Sequence, residues 1–179
     1  FHGRTMGALS LSASKAIQKK HYAPLLDVSH APYGDLDFID NHLFTKTTPP
    51  EDVAAIFVEP IQGEGGVRPI DPAFLKRAAE LCRENAVPLI ADEIQTGLGR
   101  TGTFLASEAL EIQPDYILLS KALGGGLAKV AALMIRSEAY KPDFDVKHTS
   151  TYAEDDYSSA IALKTLQLID EKVLRECRD

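Results

Sequence analysis

The chain has 179 residues, 45% of them hydrophobic and 25% charged, with a formal net charge of −7. This composition is that of about one globular domain with a real core. It excludes the basic surface that nucleic acid or an anionic membrane requires, and no apolar run is long enough to span a bilayer. Cys82 and Cys177 lie far apart in helix-like segments. This predicts a reducing compartment, by default the cytoplasm, with the mitochondrial matrix or another organelle left open.

The first half of the chain passes from loop-like to strongly patterned sequence. Residues 21–50, rich in proline, are predicted to be irregular. The apolar run at 53–58 predicts a strand, and the spacing of apolar residues over 72–86 predicts a helix that starts at Asp71-Pro72. A second strand is predicted at 88–91.

The second half adds two strands and a long helix. The apolar runs at 116–119 and 130–135 predict the strands, and an amphipathic pattern over 157–176 predicts one helix. Strands that are apolar almost throughout are typical of burial on both faces. The sequence therefore predicts an α/β fold, a mostly parallel sheet between layers of helices.

Polar residues follow three of the predicted strands. Residues 59–66 follow the first strand, residues 92–95 the second, and Ser120 and Lys121 the third. Ligands of open α/β sheets bind beyond the carboxyl ends of the strands. If the strands are parallel neighbours, a carboxylate, an amide and an amine meet at one edge.

A glycine pattern at 97–102, GLGRTG, matches the G-x-G-x-x-G of dinucleotide-binding proteins. In that motif the first glycine directly follows the strand and a helix opens beneath the phosphates. Here five residues intervene, and only a short segment separates the glycines from the next strand. The pattern is therefore a weak basis for a nicotinamide site.

Metal and serine-hydrolase chemistry have little support. The five histidines show no i, i+4 pair and no cysteine companion, and there is no G-x-S-x-G sequence. We predict no metal site.

The lysine after the third strand suggests a different chemistry. A lysine forms an imine with a carbonyl cofactor when its amine is neutral, which desolvation or nearby positive charge favours. Pyridoxal phosphate (PLP) requires such a lysine, an acid that keeps its ring nitrogen protonated, and donors for its phosphate. Lys121 and Asp92 are candidates for the first two groups.

Five blocks of the sequence are FHGRTMG at 1–7, FVEPIQGEGGV at 57–67, ADEIQTGLGRTG at 91–102, LLSKALGGGL at 118–127 and HTSTY at 148–152. Together they resemble the class III aminotransferases, PLP enzymes of fold type I such as ornithine, acetylornithine and 4-aminobutyrate aminotransferases. The resemblance implies that residues 1–179 are a central part of the large PLP-binding domain. The N-terminal segment with its phosphate loop, and the C-terminal small domain, are expected outside this chain.

The resemblance also implies cofactor contacts. Lys121 would be the Schiff-base lysine and would move protons in the reaction. Asp92 would pair with the pyridine nitrogen, and Gln95 would lie near the phenolic oxygen, although Gln95 could instead cap the glycine turn. Phe1 would stack on one face of the ring and Ile94 would pack against the other.

Further roles are implied for a phosphate contact and two substrate contacts. Thr151 matches a threonine that reaches the phosphate in the neighbouring subunit of a homodimer, with a turn hydroxyl as the alternative. Arg4 matches an arginine that binds a substrate carboxylate, and Glu64 matches a gate glutamate, with plain surface charge as the alternative for both. The chain departs from the family at residues 153–156, AEDD, and at Ala128-Lys129.

The implied function is transfer of an amino group from an amine or amino acid, including ω-amino donors, to an oxo acid. The five blocks do not distinguish this from an aminomutase, epimerase or decarboxylase on the same fold. A non-catalytic truncated module is a third alternative, because segments of the family pattern are missing from the chain.

Overall fold

The computed structural model describes residues 1–148 and 150–178. The chain divides into two compact units, Phe1–Leu89 and Ile90–Asp179. The α-helices of the first unit are α1 (Met6–Leu11), α2 (Leu36–Asn41) and α3 (Pro72–Glu84). Those of the second unit are α4 (Ala106–Ala109), α5 (Asp143–Lys147), α6 (Asp156–Leu168) and α7 (Glu171–Arg178).

The strands form two sheets. They are β1 (Ile56–Val58), β2 (Ile61–Gln62), β3 (Arg68–Pro69), β4 (Leu89–Asp92), β5 (Tyr116–Leu119) and β6 (Ala132–Ile135). The larger sheet has the strand order β1-β4-β5-β6, and β2 and β3 form an antiparallel pair. β4 and β5 are parallel, whereas β6 runs antiparallel to β5. The sheet is therefore mixed, with its parallel strands flanked by helices, as the predicted fold class requires.

Helix α3 organises the core of the first unit. Its Leu75 and Cys82 are buried at 0% and 2% exposure, on the apolar face that the sequence pattern predicts. The Asp71 side chain accepts a hydrogen bond from Ala73 N at 2.8 Å, which confirms the predicted start. The helix ends at Glu84, two residues before the predicted end, because Ala86 takes a left-handed backbone with φ +54°.

The core of the second unit forms between the end of β5, the following turn and helix α6. Its buried members are Leu98, Leu105, Leu119, Leu123 and Ala162. Since Leu119 and Leu123 flank Lys121, this core fixes the backbone on both sides of the predicted catalytic lysine.

The predicted single helix over 157–176 is wrong. The structure has two helices there, α6 and α7, separated at Ile169 and Asp170. The Asp170 carboxylate accepts hydrogen bonds from the N–H groups of Lys172 and Val173, at 3.0 and 2.9 Å. Asp170 thus caps a new helix inside an apolar pattern that reads as continuous.

Two other elements differ from the sequence expectation. The segment 21–50 is not wholly irregular, because it contains α2, whose first turn is capped by Asp35 through Phe38 N at 3.0 Å. The predicted strand at 53–58 is shortened to β1. Among the described residues, no helix is long and apolar enough to cross a membrane.

Candidate active site

The carboxyl ends of β4 and β5 place Asp92 and Lys121 at the same edge of the sheet. Asp92 is in parallel register with Leu118, and Glu93 N donates to Leu118 O at 3.0 Å. Lys121 follows the end of β5 after one residue, Ser120. The Asp92 side chain is 4% exposed, and its Oδ1 accepts a hydrogen bond from Ile94 N at 3.1 Å. The predicted acid is therefore a buried group at the strand end next to the lysine.

Lys121 begins a 3₁₀ turn that runs from Lys121 to Gly124. Its backbone is left-handed, with φ +45°, a conformation that costs energy for any residue with a Cβ. Its Nζ donates a hydrogen bond to Gln95 Oε1. The side chain is exposed on the described chain, so the expectation of a desolvated amine is not met by these residues. The turn and the Gln95 amide are what orient it.

The glycines after Lys121 allow close packing of helix α6. Gly125 has φ +58°, and a Cβ added there would lie 2.8 Å from Thr165 Oγ1. Thr165 is itself tied to α6 by a hydrogen bond to Ile161 O at 2.9 Å. The turn that carries Lys121 is therefore fixed by two contacts: Leu119 and Leu123 pack into the core, and Gly125 packs against Thr165 of α6.

The GLGRTG segment packs against helix α7. Gly102 has φ +83°, and its carbonyl oxygen accepts a hydrogen bond from Arg178 Nε at 2.7 Å. Leu174 of α7 is buried, and a Cβ on Gly99 would lie 3.0 Å from its Cδ2. Gly99 and Gly102 thus pack against a helix of this chain. This agrees with the interpretation that the glycine pattern is only weak evidence for a dinucleotide site.

The structure places Thr151 in an exposed turn ahead of α6. Thr149, in the same predicted HTSTY block, lies outside the described residues. One of the unexpected acids, Asp155, caps α6 by accepting a hydrogen bond from Ser158 N at 2.8 Å. That N–H holds the pKa of Asp155 below its usual value. Asp155 therefore has a helix-capping contact that accounts for its charge.

In the first unit, Ser12 anchors the segment that carries Phe1 and Arg4. Ser12 is 1% exposed. Its Oγ accepts a hydrogen bond from His2 N at 2.8 Å and donates one to Gly3 O at 3.1 Å. Phe1 is half-buried and Arg4 is exposed. No sequence signal points to Ser12, because a serine in a run of small residues is uninformative.

Glu64 forms an ion pair with Lys15, whose Nζ lies 3.0 Å from Glu64 Oε2. Both side chains are about half exposed. The Tyr33 hydroxyl lies within hydrogen-bonding distance of the carbonyls of Glu59 and Arg68, at 2.9 and 3.2 Å, and so supports both ends of the loop that carries Glu64. Burial and, next, the Glu59 charge raise the pKa of Tyr33. Neither Lys15 nor Tyr33 was among the predicted site residues.

Among the residues that the structure describes, no group of three or more His, Cys, Asp or Glu side chains is arranged to hold a metal. The groups at this edge of the sheet are instead the exposed primary amine of Lys121, the amide of Gln95 that is hydrogen bonded to it, and the buried carboxylate of Asp92 at the end of the adjacent strand. An amine and a carboxylate are the groups that PLP requires for covalent attachment and for its ring nitrogen, so the residues fit that cofactor.

A mixed α/β sheet with a lysine beyond one strand and an acid at the end of the next defines the class: a fold-type I PLP-dependent enzyme domain. The family model for class III aminotransferases matches residues 1–178. The chain belongs to this family, whose members use PLP.

Solved structures agree with this assignment. Ornithine aminotransferase from Toxoplasma gondii is 38% identical, with a TM-score of 0.79 over 98% of this chain and 39% of that chain. Ornithine δ-aminotransferase from Plasmodium falciparum is 35% identical, with a TM-score of 0.65 over 83% of this chain and 37% of that one. Acetylornithine aminotransferase from Elizabethkingia anophelis is 34% identical, with a TM-score of 0.70 over 83% and 36%. The chain spans about two fifths of the length of these relatives.

Proposed function

We propose that the complete protein containing this chain is a PLP-dependent aminotransferase that moves an amino group from an amine or amino acid to an oxo acid. The observation that carries the proposal is the edge of the sheet where buried Asp92 ends β4 and Lys121 follows the parallel strand β5. Membership of the class III family supports the reaction type.

The donor class follows from the relatives. The neighbouring structures are named for ornithine and acetylornithine, both of which carry an amino group. Ornithine has one at the end of its side chain, which supports ω-amino donors for this protein. We therefore propose an amino acid of this kind as donor and a small oxo acid as acceptor.

When bound, PLP supplies an aldehyde that takes up amino groups covalently and a protonated ring that withdraws electrons. Lys121 would attach the cofactor through Nζ and, once freed, carry protons to and from the substrate carbon as acid and base. Asp92 would hold the proton on the ring nitrogen, since an ionised carboxylate stabilises a neighbouring cation. Gln95, which accepts from Lys121 Nζ through Oε1, would donate an amide N–H to the phenolic oxygen.

The remaining site residues are proposed in the roles that the resemblance implies. Ile94, directly after Glu93, and Phe1 would pack against the two faces of the ring. Arg4 would bind a substrate carboxylate, and its exposed side chain is accessible to one. Glu64, already paired with Lys15, would act as the gate carboxylate.

We also propose the assembly and setting of the protein. Residues 1–179 would form part of the large PLP-binding domain, and the protein would be a homodimer in which the exposed Thr151 reaches the phosphate of the neighbouring site. Cys82 and Cys177 form no disulfide in the described part of the chain, and this supports a reducing compartment, with the cytoplasm as the default.

The test is covalent capture of the cofactor. The complete protein is mixed with PLP, reduced with borohydride and digested, and the labelled peptide is identified by mass spectrometry. We expect the label on Lys121, and its loss in Lys121→Arg. Lys129→Arg is the matched control, because Lys129 is an exposed lysine beyond the same glycine turn and should leave labelling unchanged. A label on any other residue contradicts the proposal.

The reaction outcome is tested by a half-reaction. With an ω-amino donor alone, an aminotransferase leaves the amine form of the cofactor and one equivalent of an oxo product. Carbon dioxide release, or an isomerised amino acid without the amine form of the cofactor, would instead assign the protein to a decarboxylase, or to an epimerase or aminomutase.

A further inference from the structure

We propose that Glu93 is a positioning residue, whose buried carboxylate fixes the loop carrying Gln95 and thereby orients the amide that binds Lys121. The effect on PLP binding that this inference expects rests on the proposed function. The contacts of Glu93 do not depend on that function, because they all lie within the second unit.

The Glu93 carboxylate is a buried acceptor with three donors. The side chain is 1% exposed, and Oε2 accepts from Thr96 Oγ1 at 2.9 Å and from Ala106 N at 2.8 Å. Oε1 accepts from Ser107 N at 2.8 Å. A buried carboxylate is costly unless it is hydrogen bonded, and bonds to an ionised acceptor are stronger than neutral ones. These three bonds therefore tie positions 96, 106 and 107 to one residue.

The backbone of Glu93 adds two further ties. Its N–H donates to Leu118 O at 3.0 Å, and its carbonyl oxygen accepts from Gly97 N at 2.8 Å. A Cβ on Gly97 would lie 2.9 Å from that oxygen and 2.8 Å from Leu119 Cδ2. The turn from 93 to 97 is consequently closed tightly against the end of β5, where Lys121 begins.

Gln95 lies inside this turn. It is exposed and sits between Glu93 and Thr96, the two residues joined by the buried hydrogen bond. Because the Gln95 side chain is exposed to solvent, the position of its amide depends on the backbone of the turn at 93–97. Glu93 therefore acts on Lys121 through Gln95, at the atom Oε1 that accepts from Lys121 Nζ.

The test begins with Glu93→Gln in the complete protein. The substitution keeps the shape but replaces one carboxylate oxygen with an amide NH2 group, which cannot accept a hydrogen bond. Glu108→Gln is the matched control, since Glu108 is an exposed carboxylate on α4, the short helix that also carries Ala106 and Ser107. We expect PLP to bind about 10-fold more weakly in Glu93→Gln, the effect of one charge-assisted hydrogen bond. The visible absorption band of bound cofactor should also titrate at a shifted pH. Glu108→Gln should change neither.

A second readout does not involve the cofactor. Without PLP, amide hydrogen exchange at Ala106 and Ser107 should be faster in Glu93→Gln than in the unsubstituted protein, because their acceptor is weakened. Should Glu93→Gln fail to fold, Thr96→Val removes only the hydroxyl donor, and about a 3-fold loss of PLP affinity is expected from it.

A double-mutant cycle tests whether Glu93 acts through Gln95. Once Gln95→Leu has removed the amide, adding Glu93→Gln should weaken PLP binding no further. Additive losses would overturn the proposal, as would a lower melting temperature with unchanged PLP affinity and absorption. If the unsubstituted protein binds no PLP, the proposed function fails; if it binds PLP and Glu93→Gln binds equally well, only the positioning role fails.

Discussion

Gln95 accepts a hydrogen bond from Lys121 Nζ although 26 positions separate the two residues in the chain. The pairing depends on parallel strands, because β4 ends just before Gln95 and β5 ends just before Lys121. A local sequence motif could not produce it. The contact links the block at 91–102 with the block at 118–127.

Replacement of Gln95 by Leu should weaken PLP binding about 10-fold, because the amide contact to Lys121 Nζ is lost while the backbone turn is kept. Titration of the absorption band of the complete protein with PLP measures this. Gln113→Leu is the control, since Gln113 is also exposed in the second unit but away from the strand edge. Equal affinities for the Gln95 and Gln113 variants would contradict the role of Gln95.

Replacement of Gly125 by Ala should destabilise the second unit by about 1–2 kcal/mol from its left-handed backbone, with a further loss from the contact with Thr165. Gly126→Ala separates the two effects, because Gly126 has φ +75° but no atom within 4 Å of an added Cβ. Urea denaturation followed by circular dichroism gives both free energies of unfolding. Adding Thr165→Ala to Gly125→Ala should bring the loss toward that of Gly126→Ala. Equal losses in the two glycine variants would show that close packing of α6 is unimportant.

Replacement of Leu75 by Ala should lower the free energy of unfolding by about 3 kcal/mol, because Leu75 is 0% exposed in the core of the first unit. Leu163→Ala, also in a helix but at a position 57% exposed, should cost less than about 1 kcal/mol. Denaturant titration measures both. Losses of similar size would mean that α3 is not packed as described.

The Asp155 cap predicts a pH-dependent stability. The pKa of Asp155 is lowered in the folded chain, chiefly by the Ser158 N–H. The contribution of the Asp155 cap to the free energy of unfolding is therefore present above the pKa of the unfolded state and is lost as the pH falls through the pKa of the folded state. Asp155→Asn keeps an acceptor but no charge, so its melting temperature should lie below that of the unsubstituted protein at neutral pH.

The difference in melting temperature between Asp155→Asn and the unsubstituted protein should then shrink as the pH falls through the lowered folded pKa of Asp155, because the protonated side chain is neutral like that of asparagine. Thermal melts across the pH range measure it. Glu154→Gln is the control, as it removes a neighbouring charge without touching the cap, and it should show no comparable trend. A gap of constant size at every pH would contradict the assignment.

The sequence predicted elements well where local and long-range signals agree. β5 has the predicted bounds because its apolar run is uninterrupted and lies between Asp115 and Ser120, and α3 starts at Pro72 because Asp71 provides the cap. The long helix failed for the opposite reason. The apolar pattern continues through Ile169, and only the hydrogen bonds of Asp170 reveal that a new helix starts there.

The residues of the candidate site also differ in whether the sequence could predict them. Lys121 and Asp92 could be predicted because each follows an apolar strand, and parallel strands end at one edge. Glu93 could not be assigned a role, since its partners Thr96, Ala106 and Ser107 are fixed only when the loop closes. The pairing of Lys15 with Glu64 likewise joins residues 49 positions apart.

The left-handed backbone of Lys121, with φ +45°, would suit glycine better than lysine. A Lys121→Gly chain should therefore be at least as resistant to heat as the original, while having no amine to offer. At this position the chain therefore carries a reactive amine at a cost in stability.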